Sequence, residues 1–568
     1  MSLGKKGPYL HRQYPRESKP RRRLVLMIGI ALLAGVLAYY KYIDMTLSKA
    51  NKKLAENDWD RAEAYFGKVA SLPFSGAKGQ DGLGALDLLR GDLESAKVHF
   101  KRVLERKPSD WSGDPAVILR VFLDHGAYES GRIYADFIKN WKTAEKLGDQ
   151  ALDLAALFLG ARDLVEARAF LDRVTPSARA DERFGKLETL LADYERDGRI
   201  PVMLDRNGEA LLFFHTDSSE YRFENERLFS GWADGGADAL FSGVEPADRL
   251  NRLKTTLDLR LQKAAFQAMK GYRGTMIMLD PSSGDLLAAF ATEGLHPFQS
   301  AFEPGSVIKL LTFGFFLEEG GDLAPYAPAK YTAGRKFGGR VLRDWTVQGQ
   351  LNSVDEGMAV SCNIMFAQMG VDLGWPKLGQ GLKTLFDGSV DPGMVGAATS
   401  GKLLREPETV WEVGRASVGL DFLQTTVYGL IQIPAAVANR GNLMKPRLYS
   451  EFLTVEDRVY KQRAAESPRR LFSETGAAKL AQSMKAALYF ERGTARRARV
   501  DFLEAGMKTG TAGERPFDSI MVGILPLSDP KLVFAFYLDK GGKCEVNGAR
   551  VAKHLQEQIK ALAPAYLE

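Results

Sequence analysis

Cysteine and histidine are scarce in this chain of 568 residues, and their positions limit its chemistry. With only two cysteines, Cys362 and Cys544, a disulfide framework is excluded. One bridge between them stays open in an oxidising compartment, but the sequence favours two isolated thiols. The six histidines lie far apart and form no cluster with cysteine, so we predict no metal site. We predict no cofactor either.

The chain also lacks a basic stripe with interleaved aromatic residues, so nucleic acid is not an expected partner. Its formal net charge is +6, but residues 1–23 carry eight basic side chains against the single acid Glu17. The rest of the chain is therefore close to neutral. A basic cluster confined to one end bears on membrane orientation rather than on binding a polyanion.

An uncharged run of 17 residues, LVLMIGIALLAGVLAYY, follows Arg23. As a helix it would be about 26 Å long, close to the ~30 Å hydrocarbon core of a bilayer. The preceding basic residues favour a cytoplasmic N-terminus. We therefore predict a cytoplasmic tail over 1–23, a transmembrane anchor over 24–43 and export of the remainder. A cleaved signal peptide is the alternative, because small residues near Ala38 allow cleavage.

From residue 46 to about residue 199 the sequence has a helical pattern that repeats. DRAEAYFGKV and ESAKVHFKRV place Ala62 and Ala96 34 residues apart, and ESGRIYADFI and EARAFLDRV follow at spacings of 35 and 36. A period near 34 is typical of tetratricopeptide repeats, and GALDLLRGDLESAKVHFKRVLERKP resembles their consensus. We predict tetratricopeptide-like repeats over 46–199, serving either as a docking surface for a peptide or protein or as a helical spacer.

Mixed α and β patterns follow the repeats. DRNG predicts a hairpin turn at Asn207, and a Gly- and Asp-rich stretch follows it, so 200–250 is predicted to be a linker and hairpin segment. From residue 251 onward, GTMIMLDPSSGDLLAAFA predicts a two-stranded hairpin, and a helix is predicted to begin at Ser306. EAGMKTGTAGE, DSIMVGILP and KLVFAFYLD predict three successive strands, and an amphipathic helix closes the chain.

Ser306 and Lys309 lie three residues apart at the start of the predicted apolar helix. Ser75–Lys78 and Ser528–Lys531 share this spacing, but we interpret both as solvated loop residues. At a helix start, a serine hydroxyl lies near free backbone N–H groups, and a lysine one turn later shares its face. Burial lowers the pKa of a lysine and makes its amine a base, so Ser306 and Lys309 are a candidate activated nucleophile.

Two further motifs suit the same chemistry. Ser361 and Asn363 form the single S-x-N sequence of the chain. The single K-T-G sequence, with the residue after it, comprises Lys508, Thr509, Gly510 and Thr511. On an edge strand the glycine permits close approach of a substrate backbone, while the lysine and the threonine hydroxyls suit a carboxylate.

The three motifs occur in the order typical of the penicillin-binding and serine β-lactamase superfamily, and the chain is identified as a member of it. Residues 251–568 resemble penicillin-binding protein transpeptidase domains in further stretches, among them TTLDLRLQKAAFQAM, RGTARRARV and MKTGTAGERPFDSIMVGILP. The resemblance implies an α/β (α+β) domain with an antiparallel sheet flanked by helices and an all-helical subdomain. An all-α repeat domain and one transmembrane helix would precede it.

The resemblance also implies an enzyme, a serine-type D-Ala-D-Ala transpeptidase that cross-links peptidoglycan stem peptides outside the bacterial inner membrane. Ser306 is expected to attack the carbonyl of the penultimate D-Ala, with Lys309 as the base. β-Lactam antibiotics mimic D-Ala-D-Ala and would acylate the same serine. A cell-wall protein bound to the repeats is a further expected partner.

The remaining motif residues receive roles from the same resemblance. Ser361 is expected to pass a proton to the leaving amine, and Asn363 to hold Lys309 and the substrate amide. The backbone N–H groups of Ser306 and Thr511 would form the oxyanion hole. The terminal carboxylate would be bound by three side chains of the last motif: Lys508, Thr509 and Thr511.

Other functions of this fold stay open. A D,D-carboxypeptidase would use water in place of the acceptor amine. A β-lactamase would need a deacylating base, and we find no E-x-x-L-N motif between Asn363 and Lys508. A penicillin-binding scaffold or sensor that recruits wall enzymes is disfavoured by the intact Ser306 and Lys309. No glycosyltransferase motif is visible, so a monofunctional enzyme is expected.

Overall fold

The computed structural model describes the chain except residues 1–18, 74, 106–114, 140–149, 236–243, 245–247, 387–388, 391–397 and 465. Most of the predicted cytoplasmic tail and parts of the repeats and of the predicted linker therefore lie outside the described residues. The chain forms two compact units. The first comprises the chain up to Ala161 together with Ala169–Ala180. The second comprises Arg162–Arg168 and Asp181–Glu568.

Helices dominate the chain before residue 200. Their bounds are α1 (Lys19–Ala55), α2 (Trp59–Ala70), α3 (Gly76–Leu89), α4 (Leu93–Glu105), α5 (Pro115–Asp124), α6 (Tyr128–Lys139), α7 (Ala151–Gly160), α8 (Leu164–Leu171) and α9 (Glu182–Asp197).

Helix α1 continues without a break past residue 43, where the anchor was expected to end. Its stretch from Arg23 is long and apolar enough to cross a membrane. After Tyr42 a buried stripe at helical spacing begins, formed by Ile43, Thr46, Ala50 and Leu54. One helix therefore combines an exposed apolar half with an amphipathic half that packs in the first unit.

Helical hairpins recur in the first unit at the spacing of the sequence repeat. The turns between α1 and α2, α3 and α4, and α5 and α6 each contain a residue in the left-handed region, at Asn57, Gly91 and Gly126. The small residues Ala62 and Ala96 are fully buried on the second helices. The recurrence thus consists of helix–turn–helix units with a tight interhelical contact.

Helix α3 corrects the interpretation of Ser75–Lys78 as loop residues. Ser75 is buried at the start of this helix. A Cβ at Gly79 would lie 2.2 Å from the backbone nitrogen of Ala70, and one at Gly82 would lie 2.3 Å from the ring of Phe66. The glycines that suggested a loop therefore allow neighbouring helices to approach each other closely.

The second unit contains the strands of the chain. Strands β1 (Arg199–Leu204), β2 (Ala210–His215), β3 (Glu220–Phe223), β4 (Arg252–Thr255), β5 (Gly274–Leu279) and β6 (Leu286–Ala291) come first. Shorter strands follow, namely β7 (Ala329–Tyr331), β8 (Gly334–Phe337), β9 (Arg340–Arg343), β10 (Gly349–Leu351), β11 (Ser389–Val390), β12 (Ala398–Thr399), β13 (Gly401–Leu403), β14 (Leu423–Thr425) and β15 (Asn442–Leu443). The last are β16 (Tyr449–Leu453), β17 (Val459–Gln462), β18 (Arg469–Arg470), β19 (Gly506–Ala512), β20 (Asp518–Leu525) and β21 (Leu532–Leu538).

Helix α9 and the helices that follow these first strands also belong to the second unit, and the latter surround the strands. They are α10 (Leu259–Ala268), α11 (Lys309–Glu318), α12 (Val354–Ala359), α13 (Asn363–Leu373), α14 (Trp375–Phe386), α15 (Val410–Ala416), α16 (Val427–Ala438), α17 (Glu474–Tyr489) and α18 (Ala549–Leu562).

The hairpin predicted within 200–250 is folded into a sheet of the second unit. The predicted turn at Asn207 joins β1 to β2, and these strands with β3 belong to a six-stranded sheet of order β17-β16-β4-β1-β2-β3. Further on, Trp232 is buried and its Nε1 donates to the carbonyl of Ala289 at 2.7 Å. Residues 199–232 are therefore structural parts of the second unit, whereas most of the Gly- and Asp-rich stretch predicted as a linker lies outside the described residues.

A five-stranded antiparallel sheet of order β19-β20-β21-β5-β6 forms the centre of the second unit. It contains the predicted hairpin, β5 and β6, and the three predicted successive strands. Helices α10 and α18 pack on one face through a cluster that includes Met276, Phe534 and Leu555. Helix α16 covers the other face. With both faces covered, the strands consist almost entirely of buried residues.

Candidate active site

The nucleophile candidate lies in a short turn that packs on a strand. Ser306 belongs to a 3₁₀ turn, Gly305–Ile308, and the α-helix itself begins at Lys309. The prediction of a helical start was correct, but its first turn is tighter than an α-helix. Gly305 has a left-handed φ of 55°, and a Cβ there would lie 2.9 Å from the carbonyl oxygen of Thr511. Only glycine fits, so the turn is held directly against β19.

Lys309 is completely buried beneath this turn. Its Nζ donates to the carbonyl of Ser361 at 2.7 Å, to Ser361 Oγ at 3.1 Å and to Asn363 Oδ1 at 2.7 Å. Burial lowers the pKa of Lys309 to about 8, although the negative charge of Asp344 acts in the opposite direction. A minor fraction of this amine is therefore neutral, and able to accept a proton, at neutral pH, far more than for an exposed lysine.

Ser361 adopts a backbone conformation that serine rarely takes. Its φ is 56°, in the left-handed region, directly after α12. This conformation costs roughly 1–2 kcal/mol for a residue with a Cβ. The same conformation is accompanied by two contacts: Ser361 Oγ lies 3.1 Å from Lys309 Nζ and 3.0 Å from Lys508 Nζ. Strain of this kind is found where the surrounding structure fixes a functional group.

The K-T-G motif lies on β19, at the edge of the five-stranded sheet. Lys508 is fully buried, and its Nζ also donates to the carbonyl of Thr509 at 2.6 Å. Burial, and then the charge of Lys309, hold the pKa of Lys508 well below its usual range. A Cβ at Gly510 would lie 3.0 Å from the carbonyl oxygen of Pro304, so the strand and the nucleophile turn are in tight contact.

The two threonines of the last motif differ in exposure. Thr509 is buried, and its hydroxyl donates to Thr494 Oγ1 at 2.7 Å. Thr511 is exposed beside the turn that carries Ser306. The structure therefore leaves the hydroxyl of Thr511 accessible to a ligand, whereas the hydroxyl of Thr509 is engaged in a buried pair. Binding of a carboxylate by both threonines stays a prediction, and the exposure favours Thr511.

Asp344 is a site residue that the sequence did not indicate. Its Oδ2 accepts from the backbone N–H of Asn363 at 2.9 Å, at the first residue of α13. Its Oδ1 accepts from the backbone N–H of Trp345 at 2.8 Å and from Gln348 Nε2 at 3.1 Å. A carboxylate at a helix start is favoured by the helix dipole. Asp344 thereby fixes the loop that positions the S-x-N motif.

The remaining candidates have no part in this cluster. Ser528 is exposed in the turn between β20 and β21, as expected for a loop. Cys362 is buried between Ser361 and Asn363, where its Sγ accepts from Met365 N. Both cysteines are free, as predicted. Among the residues that the structure describes, no group of three or more acidic, histidine or cysteine side chains could hold a metal ion.

Comparison with known proteins agrees with this arrangement. Residues 274–560 match the family described as the penicillin binding protein transpeptidase domain. The chain is 24% identical over 355 residues to the peptidoglycan D,D-transpeptidase PbpA of Mycolicibacterium smegmatis, covering 53% of this chain and 70% of that protein. It is 28% identical over 569 residues to stage V sporulation protein D of Bacillus subtilis, covering 91% and 82%.

Solved structures of penicillin-binding proteins share the fold of this chain. The D,D-transpeptidase domain of a peptidoglycan glycosyltransferase from Eggerthella lenta superimposes with a TM-score of 0.56 at 20% identity, covering 64% of this chain and 98% of that one. At this identity the superposition concerns the fold alone. The family match spans about half of the chain and includes all three motifs. The chain thus belongs to the penicillin-binding protein transpeptidase family.

Proposed function

We propose that the protein is a penicillin-binding peptidoglycan D,D-transpeptidase that works through an acyl-serine intermediate. One observation carries the proposal: a buried lysine with a lowered pKa, Lys309, shares the hydroxyl of Ser361 with a second buried lysine, Lys508, beside the turn of Ser306. This arrangement supplies a nucleophile, a base and a proton path in one place. The names of the relatives point to the same reaction.

The first half of the reaction forms the acyl-enzyme. Ser306 Oγ attacks the carbonyl carbon of the penultimate D-Ala and gives its proton to the neutral amine of Lys309. The backbone N–H groups of Ser306 and Thr511 stabilise the developing oxyanion, which the contact between their two segments supports. The C–N bond then breaks, and the departing amine of the terminal D-Ala takes a proton through the hydroxyl of Ser361.

The second half transfers the acyl group. The amine of a neighbouring stem peptide attacks the ester carbonyl and loses a proton through Ser361, and the bond to Ser306 breaks as Oγ recovers its proton. Asn363 keeps Lys309 in position, because its Oδ1 accepts from the amine. The terminal carboxylate of the donor, which leaves with its D-Ala at the end of the first half, binds between Lys508 and the exposed hydroxyl of Thr511.

Fluorescent penicillin tests the proposal. The purified protein should carry the label through denaturing electrophoresis, because the β-lactam ring opens onto the serine as an ester. A chase with unlabelled penicillin should then show slow loss of the label. Rapid release would indicate a β-lactamase instead, and absence of covalent label would refute the proposed chemistry.

We further propose that α1 anchors the protein in the inner membrane, with the catalytic unit outside the cytoplasm. The uncharged run after Arg23 and the exposure of its apolar side chains support this topology. The protein should sediment with membranes, resist alkaline extraction and be digested by protease added from the outer side. A soluble mature form that begins near Tyr39 would show a cleaved signal sequence.

The helical hairpins before residue 180 are proposed to be tetratricopeptide-like repeats that hold a cell-wall protein partner. They are not part of the catalytic cluster, which lies entirely in the second unit. Deletion of residues 46–199 would also remove α9 and Arg162–Arg168 from the second unit, so a cut before Arg162 is preferable. The shortened protein, lacking 57–161, keeps Arg162, which donates to Tyr221 and to the carbonyl of Arg249. It should acylate with penicillin at a near-normal rate but lose its partner or its cellular position.

Replacement of the repeats by an unrelated helical segment distinguishes a docking surface from a spacer. If an unrelated helical segment of similar length restores function in cells, the segment is a spacer and the docking proposal fails. If the deletion abolishes acylation by purified, folded protein, the repeats instead stabilise the transpeptidase fold, and both interpretations are wrong.

A further inference from the structure

A cleft of about 510 Å³ opens beside the catalytic cluster and is not used by the steps above. Its walls include Val360, which directly precedes Ser361, and Thr494, which accepts the hydrogen bond from Thr509. One wall residue of the cleft thus adjoins the S-x-N motif in sequence, and another is hydrogen-bonded to the K-T-G strand. Its volume lies within the range of about 300–1,000 Å³ that is usual for ligand pockets.

Two arginines at the cleft form no ion pair with any described residue. Arg496 and Arg497 line it and are exposed, and neither guanidinium has a hydrogen-bond or ion-pair partner among the described residues. Their 3₁₀ turn is well supported, because Ala498 is buried and its carbonyl accepts from Gln556 Nε2 at 2.8 Å. The cations are therefore presented from a rigid base and are available to an anionic ligand.

A third arginine lines the same cleft and is already fixed. Arg492 donates to the carbonyls of Gln348 at 2.6 Å and Gln350 at 3.3 Å. Glu491 and Glu545 also line the cleft, the latter with a carboxylate 4.0 Å from the ammonium of Lys543. Three guanidinium groups thus face two carboxylates, so the cleft is positive overall.

An apolar surface completes the cleft. Trp345 is 54% exposed, and its Nε1 is held by the carbonyl of Val360 at 3.1 Å. Val347 is 62% exposed in the same wall. A ligand that combines a short aliphatic chain with a carboxylate would satisfy both the apolar wall and the arginines.

We propose that this cleft binds the acceptor stem peptide and that Arg496 and Arg497 recognise one of its carboxylates. The proposal rests on the proposed transpeptidase function. The acceptor amine must reach the acyl group on Ser306 with Ser361 nearby to take its proton, and the cleft wall leads directly to Ser361. An acceptor stem peptide offers both a carboxylate and an aliphatic amine-bearing side chain, which matches the cleft.

The test uses the full-length protein with a small D-alanyl thioester donor and two synthetic acceptor tetrapeptides. Both acceptors carry one lysine side-chain amine; one has free carboxylates and the other is amidated throughout. The wild-type protein should have a KM for the free acid lower by about tenfold or more, since hydrogen bonds to charged groups are strong. Arg496→Gln/Arg497→Gln should raise that KM to the amidated value.

A matched control removes two cations elsewhere. Lys263 and Lys270, exposed at helix α10 and just after it, are replaced by glutamine, which should leave the preference intact. Penicillin acylation and donor hydrolysis should stay within about twofold in both double variants, because neither pair contacts the catalytic cluster. A preference that survives in the arginine variant, or is absent from the wild type, would overturn the proposal. Failure of the wild type to acylate would overturn the transpeptidase function first.

Discussion

Ser306→Ala is expected to abolish covalent labelling by penicillin while leaving the protein folded. The substitution removes the only oxygen that the proposed mechanism uses to open the β-lactam ring. In the described part of the chain the hydroxyl of Ser306 makes no hydrogen bond, so its loss leaves no buried partner unsatisfied. The measurement is gel fluorescence after penicillin treatment, with thermal unfolding to confirm an unchanged midpoint.

Two other serines at the same spacing from a lysine serve as controls. Ser528→Ala changes an exposed turn. Ser75→Ala changes the buried start of α3, where the hydroxyl donates to the carbonyl of Pro73 at 3.5 Å. Both variants should label as the wild type does. If label persists on the Ser306 variant, the nucleophile is a different residue, and peptide mapping of the labelled protein would find it.

Lys309→Met is expected to slow penicillin acylation by about 10²- to 10⁴-fold, the usual contribution of a general base. Methionine fills a similar volume but cannot accept the proton of Ser306. The loss also leaves the carbonyl of Ser361 and Asn363 Oδ1 without the amine that they bind. Stopped-flow or timed-quench acylation measures the rate, and circular dichroism checks that the fold survives. An unchanged rate would exclude Lys309 as the base.

The pH dependence gives a separate test of the same residue. Because the pKa of Lys309 is lowered to about 8, acylation by the wild type should rise as pH increases through that value and the amine loses its proton. The charged or titratable groups that face this amine are Lys508, Asp344 and Cys362. Asp344→Asn removes the charge that stabilises the ammonium form, so its profile should shift to lower pH. A profile that does not move would assign the ionisation to another group.

The sequence was sufficient to predict that the three motifs lie together, because their order resembles that of a known family, and the structure brings Lys309, Ser361 and Lys508 into contact. Their catalytic roles stay predictions. The strands of the central sheet were also predictable, since β5, β6, β20 and β21 are largely apolar runs bounded by turn residues. The function of Asp344 could not be predicted in this way. Its partner Asn363 lies 19 positions away, and no local pattern connects the two.

The pairing of the predicted hairpin after residue 199 with distant strands could not be predicted for a related reason. Strand β1 pairs in parallel with β4, and β4 pairs with β16, which lies about 200 residues further along the chain. Pairing over such distances has no signature in a local window. Helix α1 shows the opposite case: its amphipathic stripe after Tyr42 could have been recognised from the spacing of its apolar residues, but it was obscured by the stronger signal of the uncharged run.

The close packing of the nucleophile turn on β19 also bears on how this protein avoids self-association. An exposed edge strand offers unpaired N–H and C=O groups to any other extended chain, and natural proteins usually guard such edges. Here Pro304 and Val307 lie against Gly510, so the guard is the catalytic turn itself. The opening left beside Thr511 admits a substrate backbone but is flanked by a bulky turn. A substitution that loosened this turn would therefore expose a strand edge that can pair with other chains, and it would also slow the enzyme. Loss of activity would then be accompanied by loss of solubility.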